Sequence, residues 1–379
     1  MKRFTLVTLA VALTASAVPT RYTTPAERGL LDSPGVLDNV LLFDAPAFPD
    51  PKNPANTIAQ LQTYVSLRTP NLGLATGPIA NLLESLGIDI GDSLTTLQDR
   101  VKLLASVGLP GKKVQINVPG CSQGGTLPST SLSDLGLANA GISLGSCTTA
   151  SQLEATVVPG ALDTRKFTAS IFPSANSGFG VISDIDDTVK VSNVLDTGAL
   201  LKSTFLDEPK AVSGMPELYR ALSQKLNSPQ FVYITGSPYQ FYPFLKNFIG
   251  TSYSATKGPI FTKNLTIANI PEAIKIFTDD QNTLEYKISM IDRLQTMYPA
   301  KKWVAIGDST QKDPEAYAAA FKKHSDFISC IWIRQVDGAD NAASRFTAAF
   351  AGVPAGKFRV FKDSEIAGLA NIDVAGGSC

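Results

Sequence analysis

From residue 178 onward, short apolar runs alternate with amphipathic stretches. Phe179 to Ser183, Phe231 to Ile234, Lys302 to Ile306 and Phe327 to Ile333 are continuous apolar runs of strand length. Between them, apolar positions recur at helical spacing: Leu218, Leu222 and Leu226 after Pro216; Phe244, Leu245 and Phe248; and Leu284, Ile288, Ile291 and Leu294. Pro314 to Lys323 also reads as helical. Strands alternating with helices predict an α/β unit, a Rossmann-like parallel sheet with helices on both faces, over residues 178–379.

Residues 22–173 have a different pattern. Val40 to Phe43, Gln62 to Leu67, Val114 to Val118, Leu153 to Val158 and Lys166 to Phe172 carry β-branched and aromatic residues between Pro, Gly and Asn, and predict a β-rich domain. A helical insertion interrupts it at about residues 77–108. Ile79, Leu82, Leu83 and Leu86 form one stripe, with Pro78 at the expected first helical position. Leu94, Leu97, Val101 and Leu104 form a second, after a Gly91-Asp92 stop-and-cap signal. Two such stripes pack on each other or on a sheet, or offer peripheral contact to a membrane; the first lacks Lys or Arg on its polar face, which disfavours an interfacial helix. Pro119 to Ser151 is loop-rich with little periodicity, and the polar stretch Pro173 to Ser177 marks the boundary.

Composition narrows the function classes. Lys+Arg and Asp+Glu are equal at 33 each, so nothing favours nucleic acid held by bulk charge. One histidine, His324, nearly excludes three-His zinc sites and leaves a Ser-His-Asp mechanism dependent on one residue at a helix end. Lys2 and Arg3, the apolar stretch Phe4 to Leu13 and Ala15-Ser16-Ala17 make the three parts of a signal peptide, residues 1–17, with cleavage after Ala17 and a secreted product. Four cysteines fit an oxidising compartment. Cys121–Cys147 is the favoured pair because both lie in Gly/Ser/Thr-rich loop sequence; closing that loop is worth ~3 kcal/mol in the chain-entropy model. The pairing of Cys330 and Cys379 stays open, Cys330 being also a candidate free buried thiol. Asn264-Leu265-Thr266 is a glycosylation sequon, Asn264 being the acceptor.

The candidate chemistry stands at the predicted strand ends. Asp184-Ile185-Asp186-Asp187-Thr188 follows the first strand of the second unit, Thr235-Gly236-Ser237 the next, and Gly307-Asp308 through Asp313 a third. In an open parallel sheet the ligand sits beyond the carboxyl ends of the strands. Carboxylates gathered there repel one another unless a cation holds them, and oxygen ligands completed by a substrate phosphate suit Mg²⁺. Two carboxylates spaced i, i+2 can divide the work of nucleophile and proton carrier. An EF-hand loop is excluded, because Gly and Glu are missing at the required offsets after Asp184.

The run Asp184-Ile185-Asp186-Asp187-Thr188 resembles the first motif of the haloacid-dehalogenase (HAD) superfamily of phosphotransferases. The wider set GVISDIDDTVK, ITGSPYQFYPFL, LEYKISMIDRL and AIGDSTQKDPEAY resembles a narrower group, the fungal actin-patch-type phosphatidate phosphatases, across Gly178 to about Tyr317. The resemblance implies a phosphomonoester hydrolase with Asp184 as nucleophile, Asp186 as general acid and base, Thr235 holding a phosphoryl oxygen and Lys287 neutralising the transferring group. It implies Mg²⁺ bound by Asp184, Asp308 and the backbone carbonyl of Asp186. Asp313, Asp187, Thr188 and Ser237 would support the site. Lys275 and Lys263 are alternatives for the lysine. The implied substrate is phosphatidate; the alternatives are a soluble extracellular phosphate ester, or a lipid- or cell-surface-binding protein without turnover.

Overall fold

The computed structural model describes residues 32–160, 162–264, 280–324 and 326–379. The expected signal peptide, Lys275 and the last two residues of the sequon lie outside them.

The first half is built on an eight-stranded sheet. Strands β1 (Asp38–Leu42), β2 (Ala45–Asp50), β3 (Asn53–Leu67), β4 (Gln115–Asn117), β5 (Gly125–Thr126), β6 (Leu137–Ser143), β7 (Leu153–Val157) and β8 (Thr168–Pro173) run in the order β1-β3-β2-β8-β7-β4-β5, with β6 also paired to β3. Its own core holds Val40, Leu61, Ile116 and Ile171. Three strands depart from the expectation: β5, two residues long, in the stretch expected to be loop, and the longer β2 and β6. β2 hides behind Pro46 and Pro49, but it pairs β8 through Ala45–Ala47 and β3 through Ala47–Asp50, so neither proline stands in a two-sided ladder. β6 is LANAGIS, small residues without alternation, in the stretch expected to be loop; the long strand β3 supplies its partner from Ile58 to Tyr64.

Helices α1 (Gly73–Ser85) and α2 (Leu94–Val101) form the insertion. Pro78 is inside α1 rather than at its start. The preceding turn is secured by Ala75 and Thr76 amides donating to the Leu72 carbonyl, which starts the helix earlier than the proline suggests. Ile79, Leu83, Leu97 and Val101 are fully buried and share a core with Leu201 and Phe205 of the second half, while Leu86 and Leu94 remain largely exposed. The inner parts of both stripes therefore pack against protein.

The second half contains β9 (Phe179–Ser183), α3 (Thr197–Phe205), α4 (Met215–Lys225), β10 (Gln230–Pro238), α5 (Tyr242–Ser252), β11 (Ile260–Lys263), α6 (Asp280–Met297), β12 (Lys302–Asp308), α7 (Asp313–Lys323), β13 (Ile328–Arg334), α8 (Ala343–Ala349), β14 (Phe358–Phe361) and α9 (Ile366–Leu369). Among the described residues its six strands are all parallel, in the order β11-β10-β9-β12-β13-β14. The period of two along each strand sends neighbours to opposite faces. Val181, Tyr233, Val304, Ile306 and Trp332 join the core containing Leu218 and Leu245. Ile182, Val232, Ala305, Ile331 and Ile333 join another, containing Ile291, Leu294 and Ala316. Apolar runs without polar alternation are what a sheet covered on both sides requires.

All four cysteines are paired, Cys121 with Cys147 and Cys330 with Cys379. Cys330 is thus no free thiol: it ties β13 to Cys379. Two disulfides are compatible with a secreted protein, and among the described residues no helix is long and apolar enough to cross a membrane.

Candidate active site

Strand order fixes where a crevice forms. Connections leave β9 toward β10 and β12 toward β13, in opposite directions, so their carboxyl ends part between β9 and β12. Asp184 directly follows β9, and Asp308 is the last residue of β12. The Asp184 amide donates to the Ile306 carbonyl at 2.9 Å, which carries the pairing of the two strands into the site.

Asp184, Asp308 and Asp313 are each at most 1% exposed, and each brings a carboxylate oxygen within 4.8 Å of the others. Lys287, from α6, reaches into this cluster. Its ammonium donates to Asp184 Oδ1 at 2.8 Å and to Asp313 Oδ1. Burial pulls the Lys287 ammonium down, but Asp184 and Asp313 outweigh it and raise its pKa above the ordinary value. Burial pushes the Asp184 carboxyl well up; Lys287 opposes this, and Asp313, Asp308 and Asp186 add to it. Burial, reinforced by Asp313, pushes Asp308 up to about 7. Three buried carboxylates against one ammonium leave the cluster short of positive charge. An all-oxygen donor set of this kind could hold a hard divalent cation.

Asp186 points elsewhere. Its Oδ2 accepts from Thr235 Oγ1 at 2.9 Å and Ser237 Oγ at 3.0 Å, and its Oδ1 from Ser192 Oγ at 2.7 Å. Lys190 Nζ stands 3.3 Å from the same Oδ1. Burial pushes the Asp186 pKa up, but Lys190 and the hydroxyls of Ser192, Thr235 and Ser237 together bring it below the usual carboxylate value. The side chain of Asp186 is therefore apart from the three-carboxylate cluster, on the β10 side of the crevice.

The supporting residues build the loop. Asp187 has φ +54, a left-handed conformation that costs a non-glycine residue energy. Its carboxylate accepts from the amides of Ser192, Asn193 and Val194 at 2.7–2.8 Å, folding the chain back over the site. Thr188 Oγ1 donates to Asp308 Oδ2 at 2.9 Å, joining the two strand ends. Asp313, in the first turn of α7, accepts the Asp308 amide at 3.2 Å. Thr235, Gly236 and Ser237 lie within β10 rather than beyond it, where its register against β11 shifts between Ile234 and Pro238.

Of the alternative lysines, Lys263 is buried and donates to Thr283 Oγ1 at 2.9 Å, and among the described residues the lysine that meets the three-carboxylate cluster is Lys287. Asn264 is exposed and its side-chain oxygen accepts from Gln62 Nε2 at 3.0 Å. His324 is bonded to Asp292 at 2.7 Å, away from the crevice. Sequence reasoning passed over Lys190, Ser192 and Arg334. Arg334, ending β13, donates to the Asp187 carbonyl and grips Asp363 with two nitrogens. Lys190 stands four residues after Asp186 in an otherwise apolar and hydroxylated run, which was the available signal.

Residues 179–335 match the family described as phosphatidate phosphatase APP1, catalytic domain. A 160-residue stretch is 32% identical to the phosphatidate phosphatase APP1 of Saccharomyces cerevisiae, covering 41% of this chain and 26% of that protein. An uncharacterized protein of Schizosaccharomyces pombe is 26% identical over 165 residues, 42% of this chain and 26% of its own length. The chain thus spans about a quarter of the length of these curated relatives. The span of the family match contains Asp184, Asp186, Thr235, Lys287, Asp308 and Asp313, so the crevice lies within a region similar to the catalytic domain of a phosphatidate phosphatase.

Proposed function

We propose that the chain is a secreted phosphatase of the HAD type, with a catalytic unit over residues 178–379 behind a β-rich unit over 22–173, and that it hydrolyses phosphatidate to diacylglycerol and phosphate. The observation that carries this reading is the division of labour between two carboxylates two residues apart. Asp184 lies in the buried cluster with Lys287, and Asp186 lies among proton donors opposite. Asp184 attacks phosphorus, the bond from phosphorus to the alcohol oxygen breaks, and Asp186 gives that oxygen its proton. The resulting carboxylate of Asp186 then takes a proton from water, whose oxygen attacks phosphorus and frees Asp184. The donors around Asp186 favour its ionised form, which the second half-reaction needs; the first needs the protonated form, which the negative charge of a phosphoryl group brought beside it would favour.

Lys287 offsets charge on the transferring group, and Thr235 and Ser237 offer hydroxyls to it. Asp184 and Asp308, with the Asp186 carbonyl, would hold Mg²⁺, and Asp313 would stand behind them holding Lys287 and the Asp308 amide. When bound, the ion supplies positive charge to the phosphoryl oxygens.

The test is a substrate panel with purified full-length chain and Mg²⁺: phosphatidate in detergent micelles against soluble phosphate esters. Release of phosphate from phosphatidate, abolished in Asp184→Asn, is expected. Preference for a soluble ester would overturn the substrate; activity surviving in Asp184→Asn would overturn the nucleophile.

A further inference from the structure

Lys190 is 2% exposed, and nothing in the proposed chemistry yet uses it. A lysine stem of that length could be replaced by methionine without the cost of burying an ammonium, so the charge is the part that needs a reason. Its backbone is locked on both sides: the amide donates to the Ile185 carbonyl at 2.9 Å, and the carbonyl accepts from the Asp187 amide at 2.7 Å. Its ammonium stands 3.3 Å from Asp186 Oδ1 and donates to Ser192 Oγ, which itself donates to that same oxygen at 2.7 Å.

Ser192 is fixed in turn, since its amide is held by the Asp187 carboxylate at 2.8 Å. The ring of Phe244 lies 5.9 Å from the Lys190 ammonium and carries the Arg100 guanidinium of α2 at 3.7 Å, so the insertion backs the wall against which Lys190 rests.

We infer that Lys190 is a positioning residue: with Ser192 it grips Oδ1 of Asp186 and so leaves Oδ2 turned toward the crevice between Thr235 and Ser237, where a proton is exchanged with the leaving group and with water. This rests on Asp186 being the proton carrier. A carboxylate has two equivalent oxygens, and the hydroxyls of Thr235 and Ser237 that hold Oδ2 must yield it to the reacting atom, so Oδ1 needs an anchor of its own if Oδ2 is to meet that atom repeatedly. Displacement of a reacting group by about 1 Å costs on the order of 10²-fold in rate.

The experiment measures kcat and KM on phosphatidate micelles, and Mg²⁺ affinity by calorimetry, for the full chain carrying Lys190→Met, Lys190→Arg, Ser192→Ala, Asp186→Asn and the pairs with Asp186→Asn. Lys190→Met should lower kcat by about 10²-fold with KM and Mg²⁺ affinity within about twofold, and Lys190→Arg should recover part of the loss. Ser192→Ala should lower kcat by about tenfold. Neither change should lower kcat further in the Asp186→Asn background, because residues acting as a unit are non-additive. Full kcat in Lys190→Met, losses that multiply with Asp186→Asn, or a parallel loss of Mg²⁺ affinity would each overturn the inference. If Lys190→Met fails to fold, Ser192→Ala and its pair carry the test alone. If Asp186→Asn itself turns over normally, it is the assignment of Asp186 that falls, and the inference with it.

Discussion

The charge imbalance at the crevice decides what single residues there will do. In the metal-free protein the Asp308 carboxyl is pushed up to about 7 by burial and by Asp313, against about 3.9 in an unfolded chain. A raised folded value stabilises the fold below the unfolded value, and that contribution is lost as pH rises through about 7. A divalent cation competes with the same proton. Mg²⁺ should therefore raise the thermal midpoint more at pH 8 than at pH 6, and Asp308→Asn should shrink the difference to what Asp184, whose carboxyl is also pushed up, contributes. Scanning calorimetry with Mg²⁺ and with EDTA at both values checks this; an equal gain at both would remove Asp308 as a ligand. These residues were legible in the sequence because chemistry placed beyond a strand end is written in consecutive letters: DIDDT, then TGS, then GDSTQKD. Lys190 and Arg334 were not, because a basic residue after a motif or at the end of a strand does not say which carboxylate or carbonyl it will face.

At the scale of the element, glycine shows how tightly the strand ends are fitted. Gly307 is in β12 directly beneath the site, and a Cβ there would stand 2.3 Å from Asp313 Oδ2 and 2.7 Å from its Cβ. Asp313 cannot retreat, since it is 0% exposed, holds the Asp308 amide and pairs with Lys287. Gly307→Ala should cost about 1–3 kcal/mol, as overpacking does, and should also displace Asp313 and Lys287. Denaturant unfolding and phosphate release should both report it; an alanine variant with wild-type stability and turnover would show that the α7 end is looser than its contacts indicate. The four central parallel strands were legible because burial on both faces makes them uniformly apolar, whereas the edge strands β11 and β14, four residues each and carrying Lys263 and Arg359, were not. The strands of the first half were legible only in part. β6 is small and nearly featureless, and β2 carries two prolines, so neither shows an alternation; only the partner strand β3, distant in sequence from β6, makes the first of them a strand.

In the whole molecule, the two halves meet through aromatic residues that flank the site. Phe43 and Tyr64 of the first half pack on Tyr239, with ring centroids 6.4 and 5.0 Å away. Tyr239 lies two residues after Ser237, so the first half supports the segment that presents Thr235 and Ser237 to Asp186. Nearby, Phe43 also meets Tyr242 at 4.6 Å, and the Asp44 amide donates to the Tyr242 hydroxyl at 2.6 Å in a buried setting. On the opposite face of the parallel sheet, the Tyr298 hydroxyl donates to the Ala47 carbonyl at 2.9 Å, and Phe48 packs on Tyr298. Because both cores of the second half include residues of the first, the halves should unfold in one cooperative step. Tyr242→Phe keeps the ring and strands the Asp44 amide. It should lower the stability of that single transition by about 1–3 kcal/mol, the cost of a buried donor left unsatisfied, and leave substrate KM unchanged. Far- and near-ultraviolet circular dichroism followed through the same urea titration decides it: coincident transitions shifted together are expected. Two separated transitions, with only the first moved by Tyr242→Phe, would mean that the β-rich half is an appended module and that the support it gives Tyr239 does not contribute to holding the crevice together.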